Sequence, residues 1–352
     1  MLKSQYYIEE LKYINNLKLP WELIDGKSIL ITGATGLIGT VLVDAMVFRN
    51  EYKDAQISIW SLTRNEEVLR KRFGEYLGKK YFHYLVQDVS DSIGIGNDID
   101  YIIHCAGKGD PYSFVTDPVG IMNANYQGVF QVLELAKKKK TSKVVYISSG
   151  EIYGIPSKDN WRKDGFIEND YGYIDLLIPR SGYSSAKRAS ETLCSAYIYQ
   201  YNLNVSIARP CHTYGVTMLE SDNRVVGEFL RKAYRKESIV MKSQGLQKRS
   251  YCYVVDTVSA ILTILLLGEN GQAYNIANRE SVISIRDLAL LIAKNAQLEV
   301  EFEEASEFDK KGYSNIERAI LDPSKLEKLG WTAKYKIDEG IHRILEEMKV
   351  IG

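Results

Sequence analysis

Tyr183-Ser-Ser-Ala-Lys187 is the stretch whose residue types and spacing most directly imply chemistry. On a helix, positions four apart share a face, so phenol and ammonium can converge. A nearby ammonium lowers the pKa of a phenol, and a phenol brought toward neutrality is a general base. Tyr183 is the candidate base and Lys187 its partner. The spacing alone occurs often by chance. It gains weight from Ser148-Ser149-Gly150-Glu151, which follows a predicted strand. Ser149 can donate a hydrogen bond to a reacting oxygen, and Ser148 reads as structural. Plain alcohol oxidation needs no carboxylate at Glu151. A carboxylate there can handle a proton at the carbon beside a new ketone; its plain alternative is a solvated loop acid.

Nearer the N-terminus, Gly33-Ala-Thr35-Gly36-Leu37-Ile38-Gly39 follows a predicted strand and opens a predicted helix. Gly33 permits a tight turn, Gly36 lets the backbone approach a pyrophosphate, and Gly39 lets helix and strand pack closely. The helix N-terminus offers N–H groups and a positive dipole end. This is a dinucleotide-binding pattern. Strand two ends in Ser61-Leu-Thr63-Arg64, with no carboxylate for a ribose. Thr63 could still bond the ribose. Arg64 could meet a 2′-phosphate, stack on adenine or face solvent. NAD and NADP both stay open.

These motifs need a scaffold that brings strand ends together. From Ser28 the chain alternates strand, turn and helix. Strands are predicted over 28–32, 56–62, 81–87, 101–105, 143–148 and 205–209, and helices over 37–49, 122–139 and 183–201. That alternation predicts an α/β fold, a doubly wound parallel sheet (Rossmann) covered on both faces. Beyond about residue 215 the texture changes. Helices are expected over 224–235, 254–267, 285–295 and 337–349, with short strands at 240–241, 274–276 and 298–302. This reads as a smaller C-terminal α/β substrate-binding region, a lid over the carboxyl edge of the sheet. Residues 1–26 read as an N-terminal extension with one or two amphipathic helical turns that packs on the body, with a role in oligomer contacts left open. The expected division is 1–26, then 27–215 with part of 250–278 for the dinucleotide, and 216–352 mainly for substrate.

The 352 residues are 45% hydrophobic and 26% charged, an ordinary globular balance that excludes long disorder and fibrous repeats. Lys plus Arg equals Asp plus Glu at 45 each. No basic footprint for nucleic acid is expected, and an anionic ligand must be held by local groups. Cys105, Cys194, Cys211 and Cys252 lack metal or redox spacing and read as reduced thiols of a cytoplasmic protein. Asp256, Thr257 and Ser259 interrupt the longest apolar stretch, 254–267, which is too short and polar to span a bilayer. No metal site is expected. His212 is either a substrate ligand or a structural loop histidine.

The combined pattern resembles the extended short-chain dehydrogenases/reductases, the NAD-dependent epimerase/dehydratase group that acts on nucleotide sugars. The resemblance rests on the glycine motif, Ser148-Ser-Gly-Glu-Ile-Tyr-Gly154, Tyr183-x-x-x-Lys187, Arg209-Pro210, Gln247-Lys-Arg249 with Tyr253-Val-Val-Asp256, and Tyr274-Asn-Ile276. It covers roughly residues 27–345. It implies oxidation of a sugar at C4 and chemistry on the 4-keto intermediate. It further implies that Lys187 holds the nicotinamide ribose and Asp88-Val89 the adenine. Ala106 and Gly107 would line the cofactor, and Arg209 and Pro210 would also contact it. Tyr112, His212, Arg224, Val225, Arg249 and Tyr251 would contact substrate. A homodimer is the family expectation.

Within that group, 4,6-dehydratases carry an Asp where this chain has Gly150, which disfavours efficient 4,6-dehydration. Pro179-Arg-Ser-Gly-Tyr183, Lys187-Arg188, Asp110-Pro-Tyr112 and Asp222-Asn-Arg-Val-Val226 look most like the UDP-glucuronate decarboxylases. Gly150, Thr63, Cys211-His-Thr-Tyr-Gly215 and Val216-Thr217 depart from that pattern, so the substrate could differ. The expected function is therefore UDP-glucuronate decarboxylation. A nucleotide-sugar 4-epimerase is the runner-up and an NADPH-dependent keto-sugar reductase the third reading. A 4,6-dehydratase or an inactive cofactor-sensing protein stands behind them.

Overall fold

Strands with two apolar faces form the middle of the molecule, and helices cover both faces. The computed structural model describes residues 4–156, 165–306 and 316–351. In chain order the first elements are α1 (Gln5–Asn15), β1 (Ser28–Thr32), α2 (Leu37–Lys53), β2 (Ser58–Thr63), α3 (Glu66–Phe73) and β3 (Phe82–Val86). Next come β4 (Tyr101–His104), α4 (Pro111–Thr116), α5 (Pro118–Lys139), β5 (Lys143–Ile147), α6 (Ser181–Tyr201) and β6 (Val205–Pro210). Then follow β7 (His212–Tyr214), α7 (Val225–Arg235), β8 (Ile239–Met241), β9 (Lys248–Tyr253), α8 (Val254–Leu267) and β10 (Ala273–Ile276). The last are β11 (Val282–Ser284), α9 (Ile285–Ala296), β12 (Val300–Phe302), β13 (Arg318–Ala319) and helices Ser324–Glu327 and Ile337–Ile351.

Seven strands make one parallel sheet in the order β3-β2-β1-β4-β5-β6-β10. This is the expected doubly wound α/β fold. Successive side chains of a strand point to opposite faces. Ile29, Ile31, Ile103, Val145 and Ile147 accordingly join the core under α2 and α8. Leu30, Ile102, Val144 and Tyr146 join the opposite core, with residues of α5 and α6. Burial on both faces is why these strands read as continuous apolar runs. The order reverses between β1 and β4. In such sheets, ligands bind at that switch point, outside the strands' carboxyl ends.

The C-terminal part builds two small sheets beside that edge. β9 pairs antiparallel with β11 and parallel with β7 and β13, and β8 pairs with β12. The β9 strand is not among the expected strands. Five of its six residues are buried, so it shows no alternation to read. The helix α3 was also missed, although Asn65 caps it by accepting a 3.0 Å bond from Val68 N–H. The helix α5 begins four residues before its expected start. Asp117 caps it through Gly120 N–H at 3.0 Å, and Pro118 suits a first helical position.

The N-terminal segment forms three turns of helix rather than one or two. It packs into the main core through Tyr7, Leu11 and Ile14. Its polar groups are tied down: Tyr7 Oη donates to Asp44 Oδ2 on α2 at 2.6 Å, and Tyr253 Oη donates to Glu10 Oε1 at 3.0 Å. Burial pushes the Glu10 carboxyl up to about 8. Among the described residues, no helix is long and apolar enough to cross a membrane, and no His/Cys/Asp/Glu cluster could hold a metal ion.

Candidate active site

A cleft of about 860 Å³ runs from the β1–α2 turn to the small C-terminal sheets. The turn supplies its floor. Gly33 has φ +64°, in the left-handed region that favours glycine. A Cβ on Gly33 would lie 2.7 Å from Ala106 N, and one on Gly39 only 2.2 Å from Gly33 O. Gly36 caps α2 with extended backbone and no side-chain bond. The first-turn N–H groups of α2 thus face the cleft without a capping side chain, a cradle that fits a diphosphate. Gly36, Leu37, Ile38 and Gly39 all line it. Replacing Gly39 by Ala is expected to cost about 1–3 kcal/mol of stability by overpacking. Chemical denaturation tests this, and an unchanged midpoint would show that the turn yields freely.

The adenosine end is less uniform. Thr63 is buried, with its Oγ1 2.8 Å from Thr35 Oγ1. Neither residue lines the cleft. Arg64 is exposed, with Nη1 3.8 Å from Asp88 Oδ2, and Asp88 accepts from Ser90 N–H at 2.9 Å. The Val89 side chain is buried against Gly128. Ala106 N–H donates to Thr32 Oγ1 at 3.2 Å. Gly107 and Pro210 line the cleft. A Cβ on Gly107 would sit 2.7 Å from Asn125 Oδ1 and 3.4 Å from Lys187 Nζ.

Arg209 requires a correction. Its guanidinium does not line the cleft. It is 2% exposed and ion-paired with Glu191 at 2.5 Å. Nη1 also donates to Tyr153 Oη at 3.0 Å and to Glu168 O at 2.7 Å. Ser148 Oγ donates to Glu191 as well, at 2.5 Å, in keeping with its structural reading. The group ties β6 to α6 beneath the site.

Ser149, Glu151, Tyr183 and Lys187 converge on the cleft. Ser149 caps the short 3-10 turn Gly150–Tyr153, its Oγ accepting from Glu151 N–H at 3.1 Å. Burial pushes the Tyr183 phenol up to about 12, while the Ser149 hydroxyl beside it pulls it down. Lys187 is not what tunes the phenol here. Its Nζ donates to Ile147 O at 2.9 Å and lies 5.8 Å from the Tyr183 ring centre. Burial also brings the Lys187 ammonium down to about 8. The i, i+4 spacing puts both groups on one helix face, but the backbone carbonyl at the end of β5 turns the ammonium aside.

Glu151 is no solvated loop acid. Burial raises its pKa, but Arg180, joined by the weaker pulls of His212 and Arg249, holds the carboxyl below the usual range. Arg180 grips it with both Nη atoms, at 3.2 and 3.1 Å, and Ser184 Oγ stands 3.4 Å away. Sequence reasoning quoted Arg180 inside a motif but gave it no role. The signal was its position three residues before Tyr183, one turn back on the same helical approach.

On the substrate side, Tyr112, His212, Arg224, Val225, Arg249 and Tyr251 all line the cleft. Burial, then Arg249, brings the His212 imidazole down to about 4, so it is neutral near pH 7. Its ring lies 5.5 Å from that of Tyr251, centre to centre. Arg249 Nη1 donates to Lys248 O at 2.9 Å and to Glu317 O at 3.3 Å. Arg224 is paired with Asp222 at 2.6 Å and donates to Thr213 O at 3.0 Å. Asn125 and Leu321 were missed. Asn125 Oδ1 is buried with no partner among the described residues. Leu321 closes over Gly150, its Cδ1 3.0 Å from where a Cβ would sit. Nothing in sequence spacing linked residue 321 to residue 150.

Residues 29–277 match the sequence model of the NAD dependent epimerase/dehydratase family. Arabidopsis thaliana UDP-glucuronic acid decarboxylase 3 is 30% identical over 92% of this chain and 89% of that one. Human dTDP-D-glucose 4,6-dehydratase is 25% identical over 93% and 92%. The structure of Thermotoga maritima UDP-glucose 4-epimerase superposes with a TM-score of 0.77 at 22% identity, over 92% of this chain and 99% of that one. The last shows shared fold alone. This chain belongs to the NAD dependent epimerase/dehydratase family and is an NAD(P)-dependent enzyme of the nucleotide-sugar epimerase, dehydratase and decarboxylase class.

Proposed function

We propose that the protein decarboxylates a nucleotide-linked hexuronic acid, as a UDP-glucuronate decarboxylase does. The observation that carries this reading is the charge around Glu151. Two guanidinium groups, Arg180 and Arg249, flank one carboxylate, and the nearby imidazole of His212 is neutral. A net positive wall in a cleft favours an anionic sugar substituent over a neutral hydroxymethyl group. The identity to UDP-glucuronic acid decarboxylases supports the same reading. The tight approach of Leu321 to Gly150 leaves little room for the acid that 4,6-dehydration needs.

The roles follow from position. Gly33, Thr35, Gly36 and Gly39 shape the turn that would hold the diphosphate of a nicotinamide cofactor, which when bound supplies a reversible hydride acceptor. Ser149 donates a hydrogen bond to the C4 oxygen, and Tyr183 takes the C4 hydroxyl proton. Lys187 would hold the nicotinamide ribose. The C6 carboxylate, now β to a ketone, leaves as CO2 when the C5–C6 bond breaks and its electron pair moves into a C4 enolate. A proton then adds at C5, and Tyr183 gives its proton back to the C4 oxygen as the hydride borrowed at C4 would return there, leaving a UDP-pentose. Arg180 and Arg249 face the carboxylate and Arg224 the nucleotide diphosphate. The division at 27–215 with part of 250–278, and 216–352, assigns these tasks to two regions, and a homodimer is the assembly proposed.

The test is carboxyl-labelled UDP-glucuronate with NAD and purified protein. Labelled CO2 and a UDP-pentose are expected, with no turnover of UDP-glucose. A UDP-hexuronate inverted at C4 would make the protein an epimerase. No turnover of UDP-glucuronate, with NADPH-dependent consumption of a keto-sugar nucleotide, would sink the reading.

A further inference from the structure

The proposed reaction leaves a question at Glu151. Protonating C5 requires an acid near the C4 enolate, yet Arg180 holds the Glu151 carboxylate ionised through two bonds at 3.1 and 3.2 Å. An ionised carboxylate cannot donate a proton. The surroundings of Arg180 offer a way out. Its Nε is buried with no partner among the described residues. Its guanidinium lies 5.3 Å from the Phe114 ring centre, on the cleft wall. Among the described residues its hydrogen bonds are the two to Glu151, so the guanidinium, which itself lines the cleft, can turn toward a second acceptor that enters it. By contrast, Arg249 Nη1 is already committed to two backbone carbonyls.

We propose that Arg180 is shared between Glu151 and the anionic group of the sugar. An arriving carboxylate draws the guanidinium away, and Glu151 takes up the proton it later delivers to C5. The proposal rests on the hexuronic acid reading above. Both changes act in one direction. Losing a cation and gaining an anion each raise the proton affinity of a buried carboxylate. The other groups facing Glu151 are Ser149 from the β5 loop, Tyr183 and Ser184 of α6, His212 of β7 and Arg249 of β9. Of these only Arg249 carries a charge near neutral pH that opposes the uptake. The balance is atom for atom: one proton enters from solvent on binding, moves from Glu151 to C5 after CO2 leaves, and restores the Arg180 ion pair. Arg180 thus both sets the charge of Glu151 and contacts the substrate, selecting for an anionic sugar.

The experiment is calorimetric binding to the NAD-loaded Tyr183→Phe protein, which lacks the base needed for turnover. Two buffers of different ionisation enthalpy at neutral pH report protons exchanged. UDP-glucuronate is expected to bring uptake approaching about one proton per site, and UDP-glucose none. Glu151→Gln in the same background should abolish the uptake. Arg180→Gln should reduce it, because the cation whose withdrawal drives the uptake is gone. UDP-glucuronate that binds with buffer-independent heat overturns the sharing, as does uptake that survives Glu151→Gln. If UDP-glucose binds and UDP-glucuronate does not, the hexuronic acid reading fails and takes this proposal with it.

Discussion

Tyr183→Phe is expected to lower kcat by about a hundred- to ten-thousand-fold, the usual range for loss of a general acid or base. The substitution removes one hydroxyl and keeps the ring, which packs near Phe114 with centres 5.3 Å apart. Gly109 approaches the phenol closely, with a would-be Cβ 3.1 Å from Tyr183 Oη, so Phe fits without new contacts. KM for the nucleotide sugar and the melting temperature should therefore stay close to wild type. The phenol is held high, at about 12, by burial, and the Ser149 hydroxyl works against that. Ser149→Ala should then slow the reaction and move the rising, acid-side limb of the pH profile to higher pH, because the base must be deprotonated to act and a group that lowers its pKa is gone. Steady-state kinetics across pH, with thermal melts alongside, separate these effects. A Tyr183→Phe protein that keeps wild-type kcat would remove this residue from the chemistry.

The second large effect is on stability rather than catalysis. Arg209→Met is expected to destabilise the fold by about 3–5 kcal/mol, because it leaves Glu191 charged and buried without its partner. The pair is 2% and 11% exposed, so water does little to screen it. Tyr153 Oη and Glu168 O lose the guanidinium they accept from at the same time. The double variant Arg209→Met with Glu191→Met should recover much of the loss, since replacing both charges by apolar groups is often near neutral. Cofactor affinity of the protein that remains folded should change little. Denaturant titration and cofactor binding in parallel decide the matter. Normal stability with a greater than about tenfold loss of cofactor affinity would restore Arg209 to the cofactor site.

The sheet and its covering helices were legible in the sequence because their signals are local. A strand buried on both faces is an apolar run, and α8 ran over 254–267 as expected. The glycine turn was legible for the same reason: Gly33 and Gly39 are required by contacts within a few residues or with the adjacent strand end. The small sheet around β9 was not legible. Its partners β7, β11 and β13 come from three separate stretches of chain, and its burial erases the alternation that identifies a strand. The depth of the N-terminal helix was hidden likewise, since Asp44 and Tyr253, which receive it, lie far along the chain.

For the site, residue types and spacing by themselves determined which chemistry was available. They named Tyr183, Lys187, Ser149 and Glu151 and placed them beside a dinucleotide turn, because a turn, a strand end and one helix face are local geometry. What tertiary structure alone decided was the electrical state of those groups. Arg180 sets Glu151 as an ion pair, burial sets His212 as a neutral ring, and Ile147 O draws Lys187 from the phenol. It likewise moved Arg209 from cofactor to scaffold and set Leu321 against Gly150. The physical reason is that pKa and pairing depend on burial and on charges a few ångströms away in space. Those neighbours are drawn from β5, β7, β9 and residues near 321, whose separations in sequence carry no information about their meeting.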